Sequence, residues 1–158
     1  MINKTKKIYL DYAAATPTDP RVLRAMLPYF REKFGNTMSL HTFGQEAKQA
    51  LEESRERAAG LIGAKSDEII FTGSASESNN LALKGVGFAN RNKGKHIIIS
   101  QIEHPCIMES AEWLKYQGFK ITKLPVDSSG HVNPEDARKA IRKETILVSI
   151  IHASNEIG

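Results

Sequence analysis

Apolar runs recur at short, regular intervals along the second half of this chain, with amphipathic stretches between them. The runs at 69–72 (Ile-Ile-Phe-Thr), 96–100 (His-Ile-Ile-Ile-Ser), 119–124 and 146–151 are short and rich in β-branched residues, and they predict four strands. Helices are predicted at 75–90, from Pro105 to a stop at Gly118, and from Asn133-Pro134 to 142, with a turn at Asp127-Ser128-Ser129-Gly130. Strands that are apolar throughout suit a sheet buried on both faces, and their alternation with helices builds βαβ units. The expected fold class is α/β, a three-layer α/β/α arrangement with a mainly parallel sheet, over a single portion spanning 1–158.

The first half is patterned differently. Thr18-Asp19-Pro20 starts a helix whose apolar residues Val22, Leu23, Met26, Leu27 and Phe30 share one side, with a kink expected at Pro28. A second helix, 42–60, repeats Ala47, Ala50, Leu51, Ser54, Ala58 and Leu61 at spacings of three and four, which makes one stripe. No repeat, low-complexity stretch or linker interrupts the pattern. The last predicted strand runs into His152-Ala153-Ser154-Asn155-Glu156-Ile157-Gly158 with no following helix to cover it, so the sequence reads as cut rather than finished.

Composition narrows the function classes. Lys plus Arg at 22 against Asp plus Glu at 18 leaves an excess of 4, spread along the chain apart from Lys4, Lys6 and Lys7. That excess is too weak to argue for nucleic acid or an anionic membrane. No apolar run reaches membrane-spanning length, and the N-terminus lacks a signal-peptide core. A single cysteine, Cys106, excludes an internal disulfide framework and makes a reducing cytoplasm the expected location.

Ligands of parallel α/β sheets gather beyond the C-terminal strand ends, where three loops fall here. The first, Thr72-Gly73-Ser74-Ala75-Ser76-Glu77, has capping-box spacing between Ser74 and Glu77, and its small residues would let a phosphate approach the first amides of the helix. Taken alone, an ordinary cap explains it, and it is neither a Walker loop nor a dinucleotide fingerprint. The second, Glu103-His104-Pro105-Cys106, puts a histidine before a helix; such a residue is commonly a structural hydrogen-bonder. Cys106 is expected as a small buried filler in the first helical turn. The third offers Asn155, an amide able to donate to a phenolate or carboxylate.

These loops together resemble one family. Leu10-Asp11-Tyr12-Ala13-Ala14-Ala15-Thr16-Pro17 resembles the opening of cysteine desulfurases, and Phe34-Gly35-Asn36 with Ser39-Leu40-His41 resembles their glycine–asparagine loop. Phe71-Thr72 with Ala75, Ser76, Glu77, Ser78 and Asn80 resembles their phosphate cup; Glu103-His104 and Asn155-Glu156-Ile157-Gly158 match two further motifs. The resemblance covers essentially the whole chain and is specific to class V, fold-type-I enzymes that use pyridoxal 5′-phosphate (PLP). It implies that Ala75 and Ser76 hold the cofactor phosphate, that His104 stacks on the ring and helps move protons as a catalytic residue, and that Asn155 bonds near the ring phenolate or substrate carboxylate. Thr37-Met38 departs from the family's proline-serine, and Ser76 replaces a threonine while keeping the hydroxyl.

The same resemblance implies what this sequence lacks. Family members are about twice as long or more, and the further part holds the aspartate facing the pyridine nitrogen, the Schiff-base lysine and the loop cysteine that becomes the persulfide. Lys84 and Lys115 fall outside the matching motifs. The expectation is the N-terminal part of a cysteine desulfurase, inactive alone. The complete enzyme would turn L-cysteine into L-alanine and pass sulfur to an acceptor or scaffold protein for iron–sulfur cluster biosynthesis, as a homodimer without nucleic acid, membrane or metal. Rival expectations are another class V enzyme, such as a selenocysteine lyase or aminotransferase, and a non-catalytic remnant that binds partners.

Overall fold

The structure is a computed structural model that describes residues 7–157, so Lys4, Lys6 and Gly158 lie outside the described residues. Contacts divide the chain into two compact units, Met1–Phe71 and Thr72–Gly158.

In the first unit Asp19 caps helix α1 (Pro20–Arg31), its Oδ1 accepting the Arg21 N–H at 2.7 Å. Pro28 does not end this helix: the chain stays helical to Arg31, and although Pro28 donates no bond of its own, its carbonyl accepts from the Glu32 and Lys33 N–H groups. Helix α2 (Thr42–Ile62) outlasts its expected end by two residues and stops at Gly63, whose φ of +67° is the left-handed closing conformation glycine adopts without strain. The loop before α2 is held by close backbone approach: a Cβ on Gly35 would collide with the Phe43 carbonyl, and the Phe34 and Phe43 rings lie 5.7 Å apart.

The expected strand at 69–72 is corrected. Ile69 is extended (φ −97°, ψ 125°), but residues 69–72 have no ladder partner among the described residues. β-branched residues make the backbone extended; only a neighbour makes it a strand. Instead, the Arg55 guanidinium donates to the Ile69 carbonyl and covers the Phe71 ring at 5.2 Å.

The second unit is built on β1 (His96–Ser100), β2 (Lys120–Leu124) and β3 (Thr145–Ser149), all parallel in the order β2-β1-β3. β1 is central and buried at every residue, which is why its apolar run does not alternate. Helices α3 (Ala75–Ala89) and α4 (Pro105–Tyr116) pack on one another; α3 also meets β3, and α4 meets β2. Leu83, Ile97, Ile99, Ile107, Ala111, Leu114 and Phe119 form their shared core. A bulge between His96 and Ile97 puts Ile146 out of register, and α5 (Pro134–Ala140) reaches β2. The α/β class with a parallel sheet is therefore observed.

Candidate functional site

Three chain segments meet the C-terminal edge of this sheet or the helix starts beside it. The first is the beginning of α3. Ser74 caps it, Oγ accepting the Glu77 N–H at 3.1 Å, while Glu77 Oε2 accepts the Gly73 N–H at 2.7 Å, one residue ahead of the Ser74 N–H that a full capping box would use. Ser78 N–H already bonds the Ser74 carbonyl. The amides of Ala75 and Ser76 are thus the two first-turn donors with no helical acceptor, and both residues are exposed. Thr72 Oγ1 and Ser78 Oγ, 2.6 Å apart, brace the loop from beneath.

The second segment is the exit of β1 into α4. His104 is the cap of α4, its Nδ1 accepting the Cys106 N–H at 3.2 Å. Nδ1 is therefore the acceptor, and the neutral ring carries its proton on Nε2. The Cys106 thiol lies 3.0 Å from the same nitrogen and accepts in turn from Asn79 Nδ2 at 3.1 Å. The expectation for Cys106 needs adjustment: it touches the core cluster but is only half-buried, and its sulfur sits among polar partners. Ser110 Oγ donates to Asn80 Oδ1 at 2.9 Å one turn further on. Those bonds hold the starts of α3 and α4 side by side, so the Ser74–Ser76 turn and His104 stand at neighbouring helix starts.

The third segment follows β3. Asn155 lies exposed in a turn at 154–157, where Ser154 Oγ accepts the N–H groups of Glu156 and Ile157. It shares the sheet's C-terminal edge with His104, because β1 and β3 are parallel neighbours. A cavity of about 690 Å³ opens beside it, lined among others by Ile102, His131, Arg138, His152 and Ser154; Ser76, His104 and Asn155 do not line it.

The sequence places Asn80 and Glu103 inside motifs but assigns no role of their own to them or to Asn79. The asparagine pair sits mid-helix, where side-chain amides are unfavourable unless bonded, and that was the available signal. Glu103 is buried, with Oε1 accepting from Ser100 Oγ at 2.8 Å and from the Ile151 N–H at 2.7 Å. The two lysines set aside from the sequence have other partners: Lys84 lies over the Trp113 ring at 4.8 Å and Lys115 pairs with Glu112 at 2.7 Å. Among the described residues no cluster of metal-ligating side chains occurs, and no helix is long and apolar enough to cross a membrane.

A cysteine desulfurase IscS of Dictyoglomus turgidum (strain DSM 6724 / Z-1310) is 57% identical over 153 residues, 97% of this chain and 39% of that protein. Among solved structures a NifS-like protein matches with a TM-score of 0.92 at 40% identity, over 97% of this chain and 42% of the other. The structure of SspA in complex with cysteine matches with a TM-score of 0.88 at 40% identity, over 94% and 43%. The chain thus spans about two fifths of the length of the relatives it matches. The model of the aminotransferase class-V family matches residues 8–158, and the chain belongs to that family.

Proposed function

We propose that this chain is the N-terminal part of a cysteine desulfurase, forming the phosphate and ring-face side of a PLP site whose other side lies in the remaining three fifths of its relatives. The observation that carries the reading is the pairing of two unbonded amides, on Ala75 and Ser76, with the imidazole of His104 at adjoining helix starts. The donor set fits the group. A phosphate dianion suits two free N–H groups at the positive end of a fifteen-residue helix, and the Ser76 hydroxyl adds a third donor.

Bound there, PLP supplies the electron sink that weakens bonds at an amino acid's α-carbon. The chain's own residues hold and orient. Ala75 and Ser76 anchor the phosphate, His104 presents an imidazole whose proton resides on Nε2, and Asn155 offers an amide to the phenolate or substrate carboxylate. In this reading the whole protein takes L-cysteine as substrate, which the desulfurase names of the relatives and the cysteine complex of SspA support, releases L-alanine and passes sulfur to an acceptor or scaffold protein for iron–sulfur clusters. A homodimeric, cytoplasmic whole protein completes the proposal.

The test supplies the unmatched C-terminal portion of the Dictyoglomus turgidum relative as a separate polypeptide. The mixed pair should take up PLP, followed by visible absorbance, and release alanine from cysteine; this chain alone should do neither appreciably. Alanine from the chain alone above a heat-denatured control, or a well-folded pair without PLP absorbance, rules the reading out.

A further inference from the structure

We infer that Glu103 is a positioning residue: its buried carboxylate ties the exit of β3 to the exit of β1 and so sets where Asn155 stands relative to His104. Resting on the PLP reading, the inference adds to it a residue that touches neither cofactor nor substrate.

The β1–β3 ladder ends at the Ile99–Ser149 pair. Past that point the two backbones would separate with their amides unpaired, yet Ile151 N–H finds an acceptor 2.7 Å away in Glu103 Oε1, 48 residues distant in sequence. The same oxygen accepts from the hydroxyl of Ser100, the last residue of β1, at 2.8 Å. Ser100 is fully buried and Glu103 is 8% exposed. A carboxylate there loses hydration, and among the described residues no Lys, Arg or His lies within ion-pair distance of it. A buried polar side chain whose hydrogen bonds are satisfied rigidifies the groups it joins. Here the fixed things are adjacent to the site: His104 is the next residue, and Asn155 follows Ile151 by four.

The geometry also tells what a substitute must provide. Glutamine keeps Oε1 as an acceptor for both donors, whereas alanine leaves the Ile151 amide with none.

Amide exchange at Ile151, read by NMR, and PLP affinity, both measured on the reconstituted pair, test this together for wild type, Glu103→Gln, Glu103→Ala and Ser100→Ala. Glu103→Ala should speed Ile151 exchange and weaken PLP binding by about tenfold each, Glu103→Gln should stay within a few-fold of wild type in both, and Ser100→Ala should fall between. Unchanged Ile151 exchange in Glu103→Ala overturns the tie, and fast exchange with unchanged PLP affinity overturns the positioning role. Should Glu103→Ala not fold, Ser100→Ala decides by the same two readouts, and its matching wild type in both overturns the inference. A wild-type pair that folds but takes up no PLP refutes the cofactor reading instead, while Ile151 exchange still decides whether the tie exists.

Discussion

At the scale of single residues, Ser76 and His96 show how differently two polar side chains are used. Ser76 is exposed on the first turn of α3; its carbonyl takes the Asn80 side chain, but its hydroxyl makes no bond that holds the fold. Ser76→Ala should therefore leave thermal unfolding unchanged and cost the reconstituted pair about 1.5–3 kcal/mol of PLP affinity, the worth of one charge-assisted hydrogen bond. A visible-absorbance titration measures it, and unchanged affinity would make the start of α3 a cap only. His96 is the opposite case: fully buried, its Nδ1 lies 2.7 Å from Thr145 Oγ1 and its Nε2 2.8 Å from Thr122 Oγ1, bridging all three strands. Burial lowers its pKa; the cations Arg142 and Lys120 add to the effect, and Glu144 opposes it. The folded state then binds fewer protons than the unfolded chain, so stability is complete above the ordinary histidine range near 6.5 and drains away as pH falls through the lowered value. Urea midpoints measured from pH 7.5 to 5 should fall with acidity; a midpoint that rises toward pH 5 contradicts this account.

At the scale of elements, two glycines of one helix make opposite predictions. Gly60 lies inside α2 and Gly63 closes it with φ +67°, and a Cβ on either would meet nothing within 4 Å. Space being equal, only backbone conformation differs. Gly60→Ala should stabilise by about 0.5–1 kcal/mol by removing unfolded-state freedom, and Gly63→Ala should destabilise by about 1 kcal/mol through its left-handed backbone. Denaturant unfolding of the two variants reads both signs, and equal effects would refute the distinction. The same helix shows what was legible beforehand. Its stripe of Ala47, Ala50, Leu51 and Ala58 announced it, and the Pro and Ser starts of α1, α3, α4 and α5 fell where local capping chemistry put them. Strand pairing was not legible in the same way. Residues 69–72 and 96–100 are equally β-branched, yet among the described residues only the second found partners, because pairing is decided by residues far away in sequence. The candidate residues at helix starts were visible because caps are local motifs, whereas the bond from Glu103 to Ile151 links two loops that no local pattern connects.

At the scale of the whole molecule, the unsatisfied surface is apolar. Val22, Leu23, Met26, Leu27 and Phe30 make the stripe foreseen on α1, but no residue of that helix is buried and Phe30 is 68% exposed. On β3, which pairs only with β1 among the described residues, Val148 is exposed, as is Ile150 just beyond. An amphipathic helix gains its stability by burying its stripe, and an open strand edge recruits whatever backbone it meets. Relatives more than twice as long share this part of the chain, so the surface is expected to be covered in their full-length form. Alone, the chain should self-associate and bind an apolar dye such as ANS. Leu23→Lys with Phe30→Lys should reduce both signals, since neither side chain contributes to a buried core. Adding the C-terminal portion of the Dictyoglomus turgidum relative should reduce them as well, with no substitution. Sedimentation velocity and dye fluorescence across a concentration series give the result. A monodisperse monomer without dye binding would show that these faces need no cover, and a double variant that still associates would move the cause from α1 to the edge of β3.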